Sequence, residues 1–444
     1  MRSTLRRRVI VPIAAAGAIG LVLAGCTGDQ AAEGPADCGD YEDYGTFDGE
    51  EVSIYGTIVE VEQERLEESW ADFASCTGID IVYQGTQEFE AQVRVLVEGD
   101  NAPDLGIFPQ PGLFATFAEN LVAPPADVEA NVDQYWSEDW KGFGTVDGTF
   151  LGAPLMASVK GLIWYSPSVW EENGWEIPET LDELTALSAD IASEGTMKPW
   201  CAGFSSGEAT GWPGTDWVED MVLRLHGPDV YDQWVSHEIP FNDPRIVEAF
   251  DAVGDILKNP DYVNGGYGDV RSIVDITFNE GGWPVLDGEC AMHHQASFYE
   301  GLWPEGTEVA EDGDVWAFIT PGVEAGASDV TGGGEIVGAF TDSDAVKAVQ
   351  TFMSTPEWAN IRVEIGGTVS ANNGVDPENA SSPLLTAVIE TLQDPETTFR
   401  FDASDLMPGA VGSDSFWKGI VAWIGGQDTQ STVDTIEASW PATP

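Results

Sequence analysis

The segment Glu51-Val52-Ser53-Ile54-Tyr55-Gly56 decides the fold class of this chain, and the residues after it repeat its pattern. It predicts a short β-strand that ends at a glycine and leads into an amphipathic helix over residues 60–75. Strands over residues 78–83 and 104–108, with a helix over residues 89–98 between them, continue the alternation. Alternating strands and helices indicate an α/β protein with a parallel sheet, whose ligands gather beyond the carboxyl ends of the strands.

The loops after these strands are therefore the first places to look for functional residues. The run Pro109-Gln110-Pro111-Gly112 should interrupt regular structure and place Gln110 at the edge of a cleft. Glu88 follows the second strand in the same way, so we expect it within reach of a ligand.

A second α/β region begins at the apolar run 161–165, which predicts a buried strand. Helices are expected over residues 168–173 and 181–193, the latter with Thr180 as N-cap and Glu183 at capping-box spacing. Five more helices are predicted, over residues 217–225, 244–257, 343–353, 356–363 and 383–392. The part of the chain after the N-terminal region exceeds the size that a single core usually supports, so two domains are expected.

The composition excludes several classes of function. The formal net charge is −60, with 77 acidic and 17 basic residues, so a nucleic acid would be repelled. The acidic residues are spread along the chain, which is typical of a strongly hydrated surface and suits a salty environment. No EF-hand spacing is present, which argues against a dedicated calcium-binding protein.

The N-terminus carries the signature of an exported lipoprotein. Leu23-Ala24-Gly25-Cys26 follows three arginines at positions 6–8 and an apolar run over residues 9–24. This pattern predicts a cleaved signal peptide over residues 1–25, with Cys26 lipidated, palmitate included, and anchored on the extracytoplasmic face of the cell membrane. The alternative is an uncleaved signal anchor in which Cys26 has no role. Residues 26–50 lack a sustained apolar period and are expected to form a flexible tether.

Four cysteines remain once Cys26 is assigned to lipid, namely Cys38, Cys76, Cys201 and Cys290. An even number in an exported protein predicts two disulfides, and three pairings are possible. We favour Cys38 with Cys76 and Cys201 with Cys290, because each pair falls within one segment of the chain. A zinc site is the competing interpretation, but the cysteine and histidine spacings of such sites are missing, and no metal is predicted.

Several motifs resemble the substrate-binding lipoproteins of carbohydrate ABC transporters, family 1 of the extracellular solute-binding proteins. The residues that carry the resemblance are Ser53–Val59, Glu88–Val93 and Ala102–Gly112, and Ala157–Tyr165, Thr210–Trp217 and Phe401–Pro408 are similar to the α-glucoside-binding branch. The resemblance covers the chain from about residue 52 to 440.

The resemblance implies a type II periplasmic-binding-protein-like fold of two lobes, each a mixed or parallel sheet flanked by helices, with the ligand cleft between them. The N-lobe would comprise residues 51–155 and 326–370, and the C-lobe residues 156–325 and 371–444. The segments rich in Gly, Ser and Asn at 154–159, 322–327 and 369–374 would be the hinge crossings.

The implied function is capture of an α-glucoside or related di- or oligosaccharide and its delivery to the transmembrane subunits of an ABC permease. Such a receptor would be a monomer without a cofactor and without enzymatic activity. A secreted glycoside hydrolase, which needs a pair of carboxyl groups, and a surface adhesion or structural lipoprotein are the alternatives. Sugar release from a glucoside would favour the hydrolase, whereas binding without turnover would favour the receptor.

Sugars bind to flat apolar surfaces and to fixed hydrogen-bond partners. Trp212, Asp216 and Trp217 offer both in a segment interrupted by Gly211, Pro213 and Gly214, which we expect to be a loop at the cleft. Each weaker candidate has a structural alternative, such as an ion pair with a carboxylate for Lys160 or Arg271, a buried hydrogen bond for His294, or core packing for Trp417 or Trp423. The full set of candidate ligand-binding residues is Trp212, Asp216, Trp217, Gln110, Glu88, Lys160, Arg271, His294, Asp405 and Trp417.

Overall fold

The structure is a computed structural model that describes residues 38–266, 268–327 and 329–442. The strands are β1 Glu51–Gly56, β2 Asp80–Gly85, β3 Leu105–Phe108, β4 Thr145–Val146, β5 Thr149–Phe150, β6 Gly152–Val159, β7 Leu162–Tyr165, β8 Lys198–Cys201, β9 Val263–Asn264, β10 Cys290–Gln295, β11 Trp316–Ile319, β12 Asp329–Ala339 and β13 Thr398–Phe401. The helices are α1 Glu60–Glu68, α2 Ala71–Thr77, α3 Phe89–Glu98, α4 Pro111–Ala115, α5 Ala126–Tyr135, α6 Glu138–Phe143, α7 Pro167–Asn173, α8 Leu181–Glu194, α9 Trp212–Val235, α10 Pro244–Leu257, α11 Asp344–Met353, α12 Pro356–Ile365, α13 Pro383–Gln393, α14 Ala403–Leu406, α15 Trp417–Ile424 and α16 Thr429–Glu437.

The first sheet has the strand order β13-β12-β3-β1-β2, and β6 also pairs with β12. Strand β1 is parallel to β2 and β3, as the alternation of strands and helices predicted. Strand β12 is antiparallel to β3 and β6 and parallel to β13, so the sheet is mixed. The parallel strands β1, β2 and β3 end at the same edge of this sheet, where their following loops meet.

The second sheet has the order β11-β7-β10-β8-β9. Strand β7 is antiparallel to β10 and β11, whereas β8 is parallel to β9 and β10. Two mixed sheets flanked by helices confirm the predicted α/β class. The chain crosses from the first sheet to the second between β6 and β7, and it returns between β11 and β12. The lobe boundaries given above remain a prediction.

The crossing from β6 to β7 consists of Lys160 and Gly161 alone. Gly161 has φ of 73°, and a Cβ at this position would lie 2.8 Å from the carboxylate oxygens of Asp220. Only glycine adopts this backbone conformation without strain while leaving room for the carboxylate. The crossing therefore fixes Lys160 between the two sheets.

Large apolar side chains pack around each sheet. We call each sheet, with the helices packed on it, one half of the fold. Val52, Ile54, Leu105 and Ile107 of the first sheet belong to one buried cluster, which helix α11 joins. A second cluster lies around the second sheet and helices α9, α10 and α15 and contains Trp200, Trp234, Phe250 and Trp423. Trp423 is thus a core residue, in line with the expectation that one of the pair Trp417 and Trp423 packs in the core.

The described part of the predicted tether is packed on the protein surface. Residues Cys38–Tyr44 form a 3-10 helix in which Tyr41 and Tyr44 contact the rings of Phe73 and Phe352 edge-on, at centroid distances of 5.2–5.9 Å. A disulfide to Cys76 fixes the start of this helix. The prediction of a flexible tether over residues 26–50 is therefore wrong from Cys38 onward. The predicted signal peptide and Cys26 lie outside the described residues.

Both favoured disulfides are present. Cys38 pairs with Cys76, and Cys201 pairs with Cys290 across the neighbouring strands β8 and β10. His293 and His294 point to opposite sides of β10, as their adjacent positions on a strand required, since one contacts the Cys201 carbonyl and the other Asp220.

Most predicted helices are confirmed, and one predicted helix is divided. Helices α3 and α10 have the predicted bounds, and the Thr180 hydroxyl caps α8 by accepting the Glu183 N–H at 3.2 Å. The single helix predicted over residues 60–75 is instead two helices, with a break between Ser69 and Trp70. Within the described residues, no helix combines the length and the apolar character needed to cross a membrane.

Candidate functional site

A cavity of about 250 Å³ lies at the edge of the first sheet where β1 and β3 end. Its other side is formed by segments that follow strands β8, β9 and β10 of the second sheet. The first sheet contributes the loop after β1, the residues Pro109 and Gln110 after β3, and the glycines Gly333 and Gly334 of β12. Residues Met156–Ser158 of β6 continue this wall. The position agrees with the predicted gathering of ligands beyond the ends of parallel strands.

The three glycines 332–334 let β12 lie close to β6 beside the cavity. They pair with Val159, Ser158 and Ala157, and a Cβ on Gly334 would lie 2.3 Å from the Met156 carbonyl oxygen. Any side chain at this position would push the two strands apart. The glycines thus shape the floor of the cavity.

Aromatic rings form the opposite wall. Trp212 is flanked by Phe278, at a centroid distance of 5.0 Å, and by Phe298, at 6.2 Å. Trp417 also lines the cavity, and its buried Nε1 has no hydrogen-bond partner among the described residues. The cavity therefore presents flat apolar surfaces, and the indole N–H of one lining residue has no partner among the described residues.

The loop predicted around Trp212 is wrong, because helix α9 begins at Trp212 itself. Gly211, with φ of 116°, turns the chain into the helix, and Pro213 lies in the first turn, where an N–H has no intrahelical partner. The helix separates the three candidates of this segment. Trp212 faces the cavity, Asp216 lies one turn further on, and Trp217 packs in the core against Trp200, at a centroid distance of 5.0 Å.

Lys160 lies beside the cavity and is ion-paired to both halves of the fold. Its Nζ donates to Asp216 Oδ1 on α9 at 2.9 Å and to Asp402 Oδ2, the residue after β13. It also lies 5.5 Å from the centroid of the Trp212 ring. Burial alone would lower the pKa of Lys160, but the carboxylates of Asp216 and Asp402 overcome this and hold it well above its usual range. Lys160 is therefore a charged link between the halves.

Asp402 is the centre of this acidic group. One of its oxygens accepts the Ser404 N–H at 3.0 Å and the Ser404 hydroxyl at 2.7 Å. Burial would raise the pKa of Asp402, but Lys160 and the neighbouring hydrogen bonds keep it well below its usual range. Burial and the adjacent Asp402 charge raise the pKa of Asp216 and Glu219.

Asp216, Glu219 and Asp402 could in principle chelate a cation, because their carboxylate oxygens lie within 4.8 Å of one another. The Lys160 ammonium already bonds to two of the three. Glu219 in turn accepts the backbone N–H groups of Ala403 at 2.9 Å and Ser404 at 3.2 Å. The group therefore has its own counter-charge, and its role is to hold α9 against α14.

Gln110 lies at the cavity edge, as predicted. Its Nε2 donates to Glu90 Oε1 at 2.9 Å, and its buried Oε1 has no partner among the described residues. Glu90 lines the cavity, whereas Glu88, two residues earlier, does not. The start of α3 at Phe89, whose ring is fully buried, orients Glu90 inward. Sequence reasoning selected the neighbouring carboxylate because it could not fix this rotation.

A second charged group lines the cavity, and sequence reasoning missed it entirely. Arg362 of α12 donates to Glu62 of α1 at 2.8 Å, and Glu335 of β12 lies nearby. Burial raises the pKa of Glu335 to about 7. Glu62 and Arg362 are 300 positions apart in the sequence, and no local motif connects them.

Three other candidates lie away from the cavity. Arg271 is exposed and pairs with Asp269, so the ion-pair alternative describes it. His294 lies 3.4 Å from Asp220 and 4.3 Å, between ring centroids, from Trp217, in the interior behind α9. Trp217, as noted, is a core residue. Of the ten candidates, those lining the cavity are Gln110, Lys160, Trp212, Asp405 and Trp417, while Asp216 is one contact behind them.

The fold and the cavity between its sheets define a two-lobed solute-binding protein. Solved structures of this class superimpose on the chain. The bacterial solute receptor AcbH matches with a TM-score of 0.73 at 16% sequence identity, covering 88% of this chain and 97% of that one. At this identity the similarity establishes the fold alone.

The family follows from sequence comparison. Residues 59–359 match the family model of the bacterial extracellular solute-binding proteins. The osmoprotective compounds-binding protein GgtB of Synechocystis sp. is 36% identical over 403 residues, 89% of this chain and 94% of that protein. The α-glucosides-binding periplasmic protein AglE of Rhizobium meliloti is 34% identical over 404 residues, 88% and 87% of the two chains. The chain belongs to the extracellular solute-binding family, whose members are receptors and not enzymes.

Proposed function

We propose that this protein is the substrate-binding subunit of an ABC importer and that it captures an α-glucoside or a related di- or oligosaccharide. The observation that carries the proposal is the cavity at the strand ends, where Trp212 and Trp417 provide aromatic surfaces beside Gln110 and Asp405. Sugars need this combination of ring surfaces and hydrogen-bond partners. The relative AglE, which is named for α-glucosides, supports this class of ligand.

In this proposal, Trp212 and Trp417 stack against the C–H faces of the sugar rings. The unpaired Nε1 of Trp417 donates to a hydroxyl, and the unpaired Oε1 of Gln110 accepts from one. Each of these buried polar atoms lacks a partner in the described structure, so a bound hydroxyl would satisfy a hydrogen bond that is otherwise lost. Lys160 and Asp216 act indirectly, because their ion pair positions the first turn of α9 and hence Trp212.

Capture would couple to closure of two lobes about the crossings between β6 and β7 and between β11 and β12. A ligand favours the closed form only to the extent that it contacts both lobes. Gln110 follows a strand of the first sheet, whereas Phe278 and Trp212 belong to segments between strands of the second. A sugar that contacts these residues together would therefore stabilise the closed state.

The affinity of such a site must come from several contacts together. Stacking on one aromatic ring contributes about 0.5–1.5 kcal/mol by analogy with aromatic pairs. A micromolar dissociation constant corresponds to about −8 kcal/mol. Two rings contribute about 1–3 kcal/mol on this scale, so most of such an affinity must come from hydrogen bonds to the sugar hydroxyls and from further apolar contact.

The remaining parts of the proposal concern location and delivery. A lipid on Cys26 would hold the receptor at the outer face of the cell membrane as a monomer, near the transmembrane subunits of its permease. The disulfide between Cys38 and Cys76 holds the first described residues on the folded protein.

A thermal-shift screen followed by calorimetry tests the proposal. Maltose, trehalose and longer α-glucosides should raise the unfolding temperature, because a ligand that binds only the folded state stabilises it. β-Linked disaccharides serve as the matched control. Turnover of an aryl α-glucoside, or the absence of a shift with every sugar, would contradict the proposal.

A further inference from the structure

The cavity carries an excess of acidic groups that a neutral sugar does not require. Its lining contains two cationic side chains, Lys160 and Arg362, and each is already bonded to a carboxylate. The acidic residues of the lining are more numerous, namely Glu62, Glu90, Glu335, Asp402 and Asp405. Asp216 and Glu219 are further acidic residues next to this lining, with carboxyl oxygens within 4.8 Å of Asp402.

These carboxyl groups reach the cavity from many elements. Glu62 lies on α1, Glu90 on α3, Glu335 on β12 and Asp405 on α14, with Asp402 next to α14. Only Glu62 and Asp402 have a cation as partner, so Glu90, Glu335 and Asp405 face the cavity without an ion pair among the described residues.

A further buried atom of the lining points to a ligand that donates hydrogen bonds. Gln110 is 5% exposed, and its Oε1 has no donor among the described residues. This oxygen is an acceptor only, so the group that satisfies it must bring an N–H or O–H bond. An ammonium group brings three such bonds together with the positive charge that the surrounding carboxylates favour.

We propose that the cavity selects its glycoside by charge, and that an ammonium-bearing glycoside binds more tightly than its neutral counterpart, while a phosphorylated one is rejected. This inference rests on the proposed sugar-binding function and names the preferred class within it. The ammonium would lie near Asp405 and Glu90, two lining carboxyl groups without an ion pair among the described residues. A phosphate would face the same carboxylates and would lose its hydration without a free cation to replace it.

The protons held by the site give the inference a second signature. Burial raises the pKa of Asp405, of Glu90 and, to about 7, of Glu335. When an ammonium binds, a neighbouring neutral carboxyl group should lose its proton to the buffer and remain as a carboxylate. A neutral glycoside needs no such release. The preference for the ammonium ligand should therefore increase as the pH rises from 5.5 to 7.5, over which the ligand stays protonated.

Isothermal titration calorimetry with α,α-trehalose, 6-amino-6-deoxy-α,α-trehalose and trehalose 6-phosphate tests this. At pH 7.5 the amine should bind about tenfold more tightly than trehalose, and the phosphate at least about tenfold more weakly. Titrations in two buffers of different ionisation enthalpy should detect proton release for the amine only. The amine-to-trehalose ratio should shrink at pH 5.5. A steric effect of the amino substituent should be the same at both pH values, so it does not affect the change in the amine-to-trehalose ratio between them.

Asp405→Asn should bring the ratio close to one, whereas Asp312→Asn, at an exposed position outside the cavity lining, should leave it unchanged. Equal affinities for amine and trehalose, tight binding of the phosphate, or no binding of the amine at all would overturn the inference. Its failure is distinguishable from failure of the proposed function, since maltose or trehalose would still bind in the former case. In the latter case no sugar of the screening panel would bind.

Discussion

Replacing Lys160 with methionine tests how the two halves of the fold are joined. The side chain of Lys160 is 10% exposed, and its partners Asp216 and Asp402 are 4% and 1% exposed. Methionine keeps most of the volume but leaves both carboxylates without their cation. Removing one partner of a buried ion pair costs about 3–5 kcal/mol in the free energy of unfolding. We expect a loss of this size at pH 7.5, measured from urea unfolding by tryptophan fluorescence.

The pH dependence of this loss has a definite sign. Lys160 keeps the pKa of Asp402 well below its usual range, so the pair contributes stability above the unfolded-state pKa of about 3.9 and loses it as the pH falls. In the variant, the carboxylates should accept protons at higher pH than before. The cost of Lys160→Met should therefore be smaller at pH 5 than at pH 7.5.

A matched control separates burial from charge pairing as such. Lys347 also contacts two aspartates, Asp342 and Asp344, but its side chain is 40% exposed. Lys347→Met should leave the urea midpoint unchanged within error, because exposed ion pairs contribute little. Equal effects of the two substitutions, or a Lys160→Met cost that is the same at both pH values, would refute the argument that the buried pair joins the halves.

Four other substitutions give further predictions. Trp212→Ala should weaken binding of the best α-glucoside about tenfold through lost stacking, as measured by calorimetry. The control Trp440→Ala removes an indole that is stacked on His237 outside the cavity lining, and it should leave the affinity unchanged. In the wild type, the free energy of unfolding should fall by about 2–3 kcal/mol between pH 4.5 and 7, because Glu335, whose pKa is raised, holds its proton more tightly in the folded state. Glu335→Gln should remove this fall, and an unchanged pH profile would contradict the prediction. Cys26→Ala should leave sugar affinity intact and abolish efficient uptake of labelled sugar by cells, and unimpaired uptake would remove the case for a lipid anchor.

The sequence predicts the fold class well because its signals are local. Strand β1, helix α3 and helix α10 each have an apolar period and clear end signals, and each has the predicted bounds. The break at Ser69 was missed, because the amphipathic pattern continues across it. Helix α9 was missed at its start, because Gly and Pro were interpreted as helix breakers although the first turn tolerates both.

The site was predicted only in part, for a related reason. Gln110 directly follows a predicted strand, so its position in the sequence already indicates the cavity edge, and Trp212 was selected through the Gly and Pro residues around it. Glu335 and Arg362 reach the cavity from β12 and α12, and their proximity depends on how distant elements pack. Arg271 was selected as a scarce cation, but scarcity does not determine burial, and its partner Asp269 is only two residues away.

The most direct test of sugar binding in this cavity is a calorimetric titration of the purified protein with maltose and trehalose, in parallel with the Trp212→Ala variant. We expect saturable binding with one site per chain for an α-linked glucose disaccharide, and markedly weaker binding in the variant. Wild-type affinity in the variant would show that the ligand binds elsewhere. The absence of binding heat with every α-glucoside would contradict the claim that this cavity is a sugar site.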